Sequence, residues 1–494
     1  MRREWRVVVA CTPAIIIQGL DITMINLALP SIGEGLSAEL ADLQWVVAAF
    51  ALAMVSLLPT SAAIGDLYGR RRALLLGYGI MAAGALLAWS AASIPVLVIG
   101  RIAQGIGLAL GAPNSFAIVA LSFPQEERGR ALGLWTAISA VAFTLSPIVA
   151  GWLVESFGFN AVFVPLLLFA VIGGAGSSVW LPADPPTHRG RLDLGGMAVA
   201  TGALAMLSYG LIEGGRDGFG RPLIVGSLLL GLACAGWFTR HELQVEHPML
   251  DLRLIGRPPF GQVVLASFAL HTASGALVFF LTIYLQALLG YSAWDTAYVM
   301  LAYSVMALIG SPAAGYLTDR RGFWLPVAVA APTIGLSALL MSLAGLVSPA
   351  LGYLVVAMAL AGAVHGGFFV GAGAAASTRV PEDRTSTAGA SLSVSRHLGS
   401  GFGIAVFGAL ATMVTRAAIR PAIADHPDAE ALVSSMSFGA PPEGIEAAVA
   451  AAHTEASLTA FGVVMVVIGV CSLVVGALVA RLLLTKGGWR KARR

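Results

Sequence analysis

Long unbroken apolar runs, separated by short polar segments, make up most of this chain. The runs cover residues 7–29, 43–64, 73–93, 95–121, 131–154, 160–181, 193–213, 222–239, 259–289, 294–317, 324–346, 349–376, 387–415 and 456–483. A membrane-crossing helix needs roughly 20 apolar residues, so the pattern predicts about fourteen spans. None of the runs alternates with period two, as a barrel strand would, and backbone groups facing lipid must bond within their own segment. The spans are therefore predicted as helices, and the chain as an all-α membrane protein. Segment 417–455, with its prolines and with Asp425, Asp428, Glu430, Glu443 and Glu446, reads as a solvated external loop carrying a short surface helix around 444–453.

One loop signature occurs twice. Asp66 and Asp319 each follow a proline by seven residues (Pro59, Pro312) and a small residue by four (Ala62, Gly315), and each precedes a glycine by three (Gly69, Gly322). Arginines adjoin both copies, in GDLYGRRR at 65–72 and TDRRG at 318–322. A duplicated membrane half with short basic loops points to a transporter.

The basic residues also set orientation. Arg2, Arg3, Arg6, Arg70, Arg71, Arg72, Arg128, Arg130, Arg189, Arg191, Arg240, Arg253, Arg257, Arg320, Arg321, Arg379, Arg384 and the tail KGGWRKARR fall on one side, against Arg216, Arg221, Arg416 and Arg420 on the other. The positive-inside rule then places both termini in the cytoplasm. The formal charge of +3 reflects this bias and gives no reason to expect a nucleic-acid partner.

Composition excludes a soluble domain, since 57% of residues are apolar and 11% charged against roughly 25% charged in soluble proteins. An alanine-rich, lysine-poor chain without an N-x-S/T sequon suits the inner membrane of a bacterial cell, and the first span reads as retained rather than as a cleaved signal. Cys11, Cys234 and Cys471 lie in apolar runs, which supports neither a disulfide framework nor a metal site. No HExxH, GxSxG or CxxC pattern and no nucleotide motif occurs, so neither an enzyme nor a cofactor is expected.

Asp21 is the one acid deep within an apolar helix, where an unpartnered carboxylate costs about 2.5–3.5 kcal/mol on insertion scales. At 1.5 Å per residue it lies roughly 12 Å from the outer end of its helix, and Arg101 roughly 9 Å from the outer end of the fourth. The matched depths make an ion pair plausible, as a proton-sensitive site or a static bridge. Gln18 and Gln104, each three residues away, share the respective helix faces. His271 and His365 fall near the middles of their spans, as packing imidazoles or as groups that bind substrate or relay protons. Arg396 lies some nine residues into its span, placed to snorkel or to meet the first loop signature. The glycines at 399, 401, 403 and 408 mark close helix packing, and Glu155 and Glu213 read as solvated helix ends.

Several segments together resemble the major facilitator superfamily, and within it the fourteen-span drug:proton antiporter branch. LDITMINLALP at 20–30, with Asp21, Thr23, Asn26 and Pro30, resembles the opening motif of that branch, and QWVVAAFALA at 44–53 its second helix. RIAQGIGLALGAP at 101–113 resembles its fourth helix, with Arg101, Gln104, Gly105 and Gly107 in place. PQEERGRALG at 124–133, HPMLDLRLIGRPPF at 247–260 and YLQALLGYS at 284–292 match further loops and the end of the ninth helix. AFTLSPIVAGW at 142–152 resembles the antiporter signature and keeps Pro147 and Gly151 for the helix bend. It departs from that signature at Ala142, Ser146 and Ala150, where glycines are usual, and the first loop has Leu67 in place of a usual arginine.

The resemblance implies a major facilitator fold of two six-helix bundles, at 1–182 and 258–494, with two extra helices at 183–257. It implies a cytoplasmic gate formed by Asp66, Gly69, Arg70 and Arg71 and by Asp319, Arg320 and Gly322, with Arg396 in the facing span. It also places Asn26, Trp45, Phe143, Phe280, Tyr284, Gln286 and Tyr303 in cavity-lining spans with Gln18, Gln104, His271 and His365. The implied function is proton-coupled export, by a monomer in the lipid bilayer, of small hydrophobic compounds such as drugs or antibiotics, cationic ones included. A uniporter or importer of a small organic solute is the alternative, because the antiporter signature is altered.

Overall fold

The computed structural model describes residues 3–182, 193–245, 248–344, 350–380, 385–442 and 444–485. Arg189, Arg191, Arg384 and the basic tail, which entered the orientation argument, lie outside the described residues, as does residue 187. The helices are α1 (Arg3–Leu36), α2 (Leu40–Tyr68), α3 (Arg70–Trp89), α4 (Ile94–Ser122), α5 (Gln125–Phe157), α6 (Phe163–Trp180), α7 (Leu194–Asp217) and α8 (Pro222–Glu242). After the short α9 (Leu252–Ile255) come α10 (Phe260–Ile283), α11 (Ala293–Arg321), α12 (Trp324–Ser342), α13 (Ala350–Arg379), α14 (Thr385–Ile419), α15 (Ala429–Ser435) and α16 (Ala447–Thr485). Among the described residues 13 helices are long and apolar enough to cross a membrane. Counting α1, which bends by 47° between Glu4–Asp21 and Thr23–Leu36, as one more gives 14.

Helices α1 to α6 pack on one another, as do α10 to α14 with α16, and the two groups meet along α2 with α14 and α5 with α11. Helix α7 lies on both α2 and α14, and α8 packs on α7. The duplicated loops mark one end of the molecule. There Gly69 (φ 94°) joins α2 to α3 and Gly322 (φ 87°) joins α11 to α12, a left-handed conformation that glycine adopts without a Cβ penalty.

The opposite end carries side-chain ties between the two halves. Gln44 Nε2 donates to the carbonyl of Ile404 at 2.6 Å, and Gln286 Nε2 to that of Leu27 at 3.1 Å, each joining the two halves. Arg216 at the end of α7 meets Glu39 at 3.0 Å and Asp42 at 3.3 Å, both at the start of α2. Arg416 at the end of α14 donates to the carbonyls of Arg216 (2.7 Å), Ser434 (2.7 Å) and Met436 (2.8 Å). The segment 417–455 differs from the solvated loop expected of it. Ile419, Ile423, Val433, Met436, Val449 and Ala456 form a small core of their own. Its short helix is α15, while the expected helix at 444–453 is largely the first turns of α16.

At the basic end Asp193 caps α7, accepting from the Gly196 N–H at 2.8 Å, and faces His241 of α8 at 2.7 Å. Burial alone would raise the Asp193 carboxyl, but the Gly196 N–H and His241 outweigh it and hold the group below its usual range.

Candidate functional site

Small residues let the helices come close enough to build the centre of the N-terminal half. A Cβ on Gly105 of α4 would strike the backbone of α2 at Phe50 and Met54, so only a glycine lets these two helices touch there. That contact carries Arg101, one turn earlier on α4, over the Phe50 ring at 4.4 Å. Its guanidinium holds Asp21 in two parallel bonds, Nη1 to Oδ1 at 2.5 Å and Nη2 to Oδ2 at 3.0 Å. Nη1 also donates to Gln104 Oε1 at 2.7 Å, and Nε to the Val46 carbonyl at 3.2 Å. Asp21 and Arg101 are 2% and 1% exposed, so the pair is fully withdrawn from bulk solvent. Buried charges persist only when paired and bonded in this way. Nearby, Gln104 Nε2 and Thr23 Oγ1 are buried with no partner among the described residues, leaving polar capacity beside the pair. Ser146, just before Pro147 of α5, donates to the Leu20 carbonyl at 2.8 Å and pins α5 against the stretch of α1 that bears Asp21.

A second polar cluster sits in the C-terminal half. The His271 ring of α10 lies 5.0 Å from the His365 ring of α13, and His365 lies 5.5 Å from Tyr303 of α11. Cβ atoms on Gly362 and Gly366 would strike the carbonyls of Tyr303 and Ala307, so these glycines set how near α11 and α13 run. Gly399 and Gly403 do the same for α14 against the Phe268 and Thr272 carbonyls of α10. Arg396 of α14 stands over the Phe369 ring at 5.1 Å, with Nη2 3.4 Å from His397 Nε2. Phe143 of α5 reaches Tyr303 across the junction of the halves, ring centres 6.4 Å apart.

Asp21, Arg101 and Gln104 are thus brought together, and His271, His365, Tyr303 and Phe143 form a chain of ring contacts. Gln18 is half-buried on α1, and Asn26 is buried one turn beyond the bend. Trp45 is occupied elsewhere, donating to Glu213 Oε1 at 2.8 Å between α2 and α7, and Glu213 is correspondingly not the solvated helix end its position suggested. Phe280 packs on Phe438 of the external segment at 5.4 Å, and Tyr284 stacks on Phe461 at 4.0 Å, both within the C-terminal half. Gln286 serves the tie to Leu27 already described.

At the basic loops, Asp66 Oδ1 accepts from Arg70 Nη2 at 2.8 Å and Nε at 3.0 Å. Arg71 donates to the Ser178 carbonyl at 2.6 Å, neutralising the C-terminal end of α6. Asp319 forms no salt bridge among the described residues, and Arg320 lies over the Tyr316 ring at 4.3 Å. Gly151 of α5 faces Ala293 and Ala297 of α11, where a Cβ would come within 2.8 Å of the Ala297 methyl group. The roles of Arg216 and Arg416 escaped sequence reasoning. Their one signal was that they stand among the few arginines on the sparsely charged side.

Comparison with known proteins agrees with this architecture. A family model described as Major Facilitator Superfamily matches residues 11–415. The chain is 29% identical over 403 residues to the multidrug resistance protein Stp of Mycobacterium tuberculosis (strain CDC 1551 / Oshkosh), covering 81% of this chain and 75% of that protein. It is 30% identical over 433 residues to the drug efflux pump JefA of the same organism, covering 84% and 82%. Among solved structures, a bacterial homolog to the human lysosomal transporter Spinster, inward-facing and unoccupied, superposes with a TM-score of 0.66 at 18% identity over 98% of both chains.

Proposed function

Because this chain belongs to the Major Facilitator Superfamily, we propose that it is a proton-coupled secondary active exporter of small hydrophobic compounds, working as a monomer by alternating access in a bacterial inner membrane. Relatives named for multidrug resistance and drug efflux support the direction. The observation that carries the coupling is the buried Asp21–Arg101 pair, an acid inside the first apolar span held by two bonds.

In this reading Asp21 is charged while Arg101 holds it. Movement of α1 at the bend beside Asp21, or entry of water or substrate at Gln104, withdraws the guanidinium and leaves a carboxylate that takes up a proton. Substrate favours the deprotonated state and the proton favours substrate release, so the two exchange through one linked site. Residues 1–182 and 258–494 are the rocking units, with 183–257 as the added pair. The basic end faces the cytoplasm, and the tied end, with Gln44 and Gln286, is the closed outer gate.

The test is a pH-gradient assay in everted vesicles combined with proton release from purified protein on addition of substrate. Coupled export requires both signals. Solute movement with no proton release supports the uniporter or importer instead.

A further inference from the structure

Two arginines that lie within the spans are treated differently by the fold: Arg101 is buried, Arg396 half-buried. Arg101 is neutralised by Asp21 and makes four hydrogen bonds. Arg396 forms no salt bridge among the described residues. The sequence contains no acid between Asp251 and Asp295, between Asp319 and Glu382, between Asp383 and Asp425, or after Glu455, so every acid of α10 to α16 lies at or beyond a helix end or in the first turns of α16. What surrounds its guanidinium is the Phe369 face and His397, and its Nε is buried with no partner among the described residues.

The neighbouring histidines are also incomplete. His271 Nδ1 lies 2.7 Å from the Ser267 carbonyl. A carbonyl can only accept, so Nδ1 carries the proton and Nε2 is left as an acceptor with no partner among the described residues. His365 Nδ1 is likewise buried and unpartnered. The cluster therefore offers a positive charge, an empty acceptor and aromatic faces around one ring, Phe369, which lies 5.1 Å from the Arg396 guanidinium and 5.9 Å from the His271 ring. A group that completes all three accepts from a guanidinium and gives or shares a proton with an imidazole, and it belongs to a molecule with a flat apolar body.

We infer that this cluster is the docking point for the acidic group of the transported compound, a carboxyl or phenol group whose oxygen accepts from Arg396 while its proton is shared with His271 Nε2, with the apolar body along Tyr303, Phe369 and Phe143. The assignment rests on the exporter reading and narrows its substrate class to weakly acidic aromatic compounds. A permanent cation is repelled by Arg396, which reverses the expectation that cationic compounds would suit this cavity.

The experiment compares saturable binding of pyrenebutyrate and its neutral analogue pyrenebutanol to the full-length protein in nanodiscs, with empty nanodiscs subtracted. The wild type is expected to bind the acid about tenfold or more tighter than the alcohol, as a charge-assisted hydrogen bond provides. Arg396→Gln abolishes that ratio and Arg396→Lys retains most of it. A wild-type ratio near one, or an undiminished ratio in Arg396→Gln, overturns the inference, and the wild-type measurement stands even if the glutamine variant does not fold. Gradient-driven efflux without acid preference removes this inference alone. Acid preference without gradient-driven efflux removes the exporter reading and leaves the acid site.

Discussion

The carboxylate of Asp66 is held by Arg70, four residues on, across a turn whose Gly69 adopts φ 94°, so both charges belong to one loop. Such a half-exposed pair contributes only about 0.3–0.5 kcal/mol. A gate residue acts by what it meets in another conformation. Asp66→Asn is therefore expected to lower turnover in vesicles while abundance and melting temperature stay within error. Asp319→Asn is expected to be milder. Unchanged turnover at equal expression would leave Asp66 with a role in topology alone.

Asp21→Asn fixes the neutral form and leaves Arg101 without its counter-charge. Breaking a buried pair costs about 3–5 kcal/mol, so a fall in melting temperature should accompany the loss of function. Gradient-driven efflux and substrate-induced proton release are both expected to vanish, with binding of a neutral substrate retained. Uphill transport surviving in this variant under a proton motive force would move the proton site to His271 or His365.

Asp193 gives a pH signature outside the membrane. Its carboxyl is held below the usual range, so its contribution to stability is present above the ordinary value of about 3.9 and is lost as pH falls through the depressed one. Asp193→Ala removes the cap of α7 and is expected to cost about 0.5–2 kcal/mol at neutral pH. Thermal melts of wild type and variant should draw together as the pH falls below the ordinary carboxyl value and converge only below the depressed one. A gap that persists in acid would mean that His241 and Gly196 do not stabilise the ionised form.

Orientation is tested by cysteine accessibility. Ala429→Cys, on the external segment, is expected to label in intact cells with a membrane-impermeant maleimide, and Thr187→Cys only after permeabilisation. The reverse result would place the Asp66 loop outside and undo the gate assignment.

The spans were legible because each is a continuous apolar run, and α14, expected at 387–415 and found at Thr385–Ile419, shows how near the limits come. The meeting of Asp21 with Arg101 could be anticipated, because a charge in lipid demands a counter-charge and the two depths agreed. Other contacts could not. Spans that are apolar all round do not reveal which face meets the cavity, so Phe280 and Tyr284 looked no different from Phe143 and Tyr303. The segment after α14 was misread because its small core draws on residues as far apart as Ile419 and Ala456, a tertiary contact with no local period. The same holds for His271 and His365, whose neighbourhood depends on how near glycines allow α11 and α13 to run.

Helix α7 makes the two seams between the halves unequal. The two halves face each other along two lines, α2 against α14 and α5 against α11, and α7 covers the first, fastened by Arg216 to one half and Arg416 to the other. Among the described residues no added helix lies over the second line as α7 lies over the first. The α5–α11 line, on which Phe143 and Tyr303 meet, is closed instead by direct contact of small residues, with Gly151 set against Ala293 and Ala297.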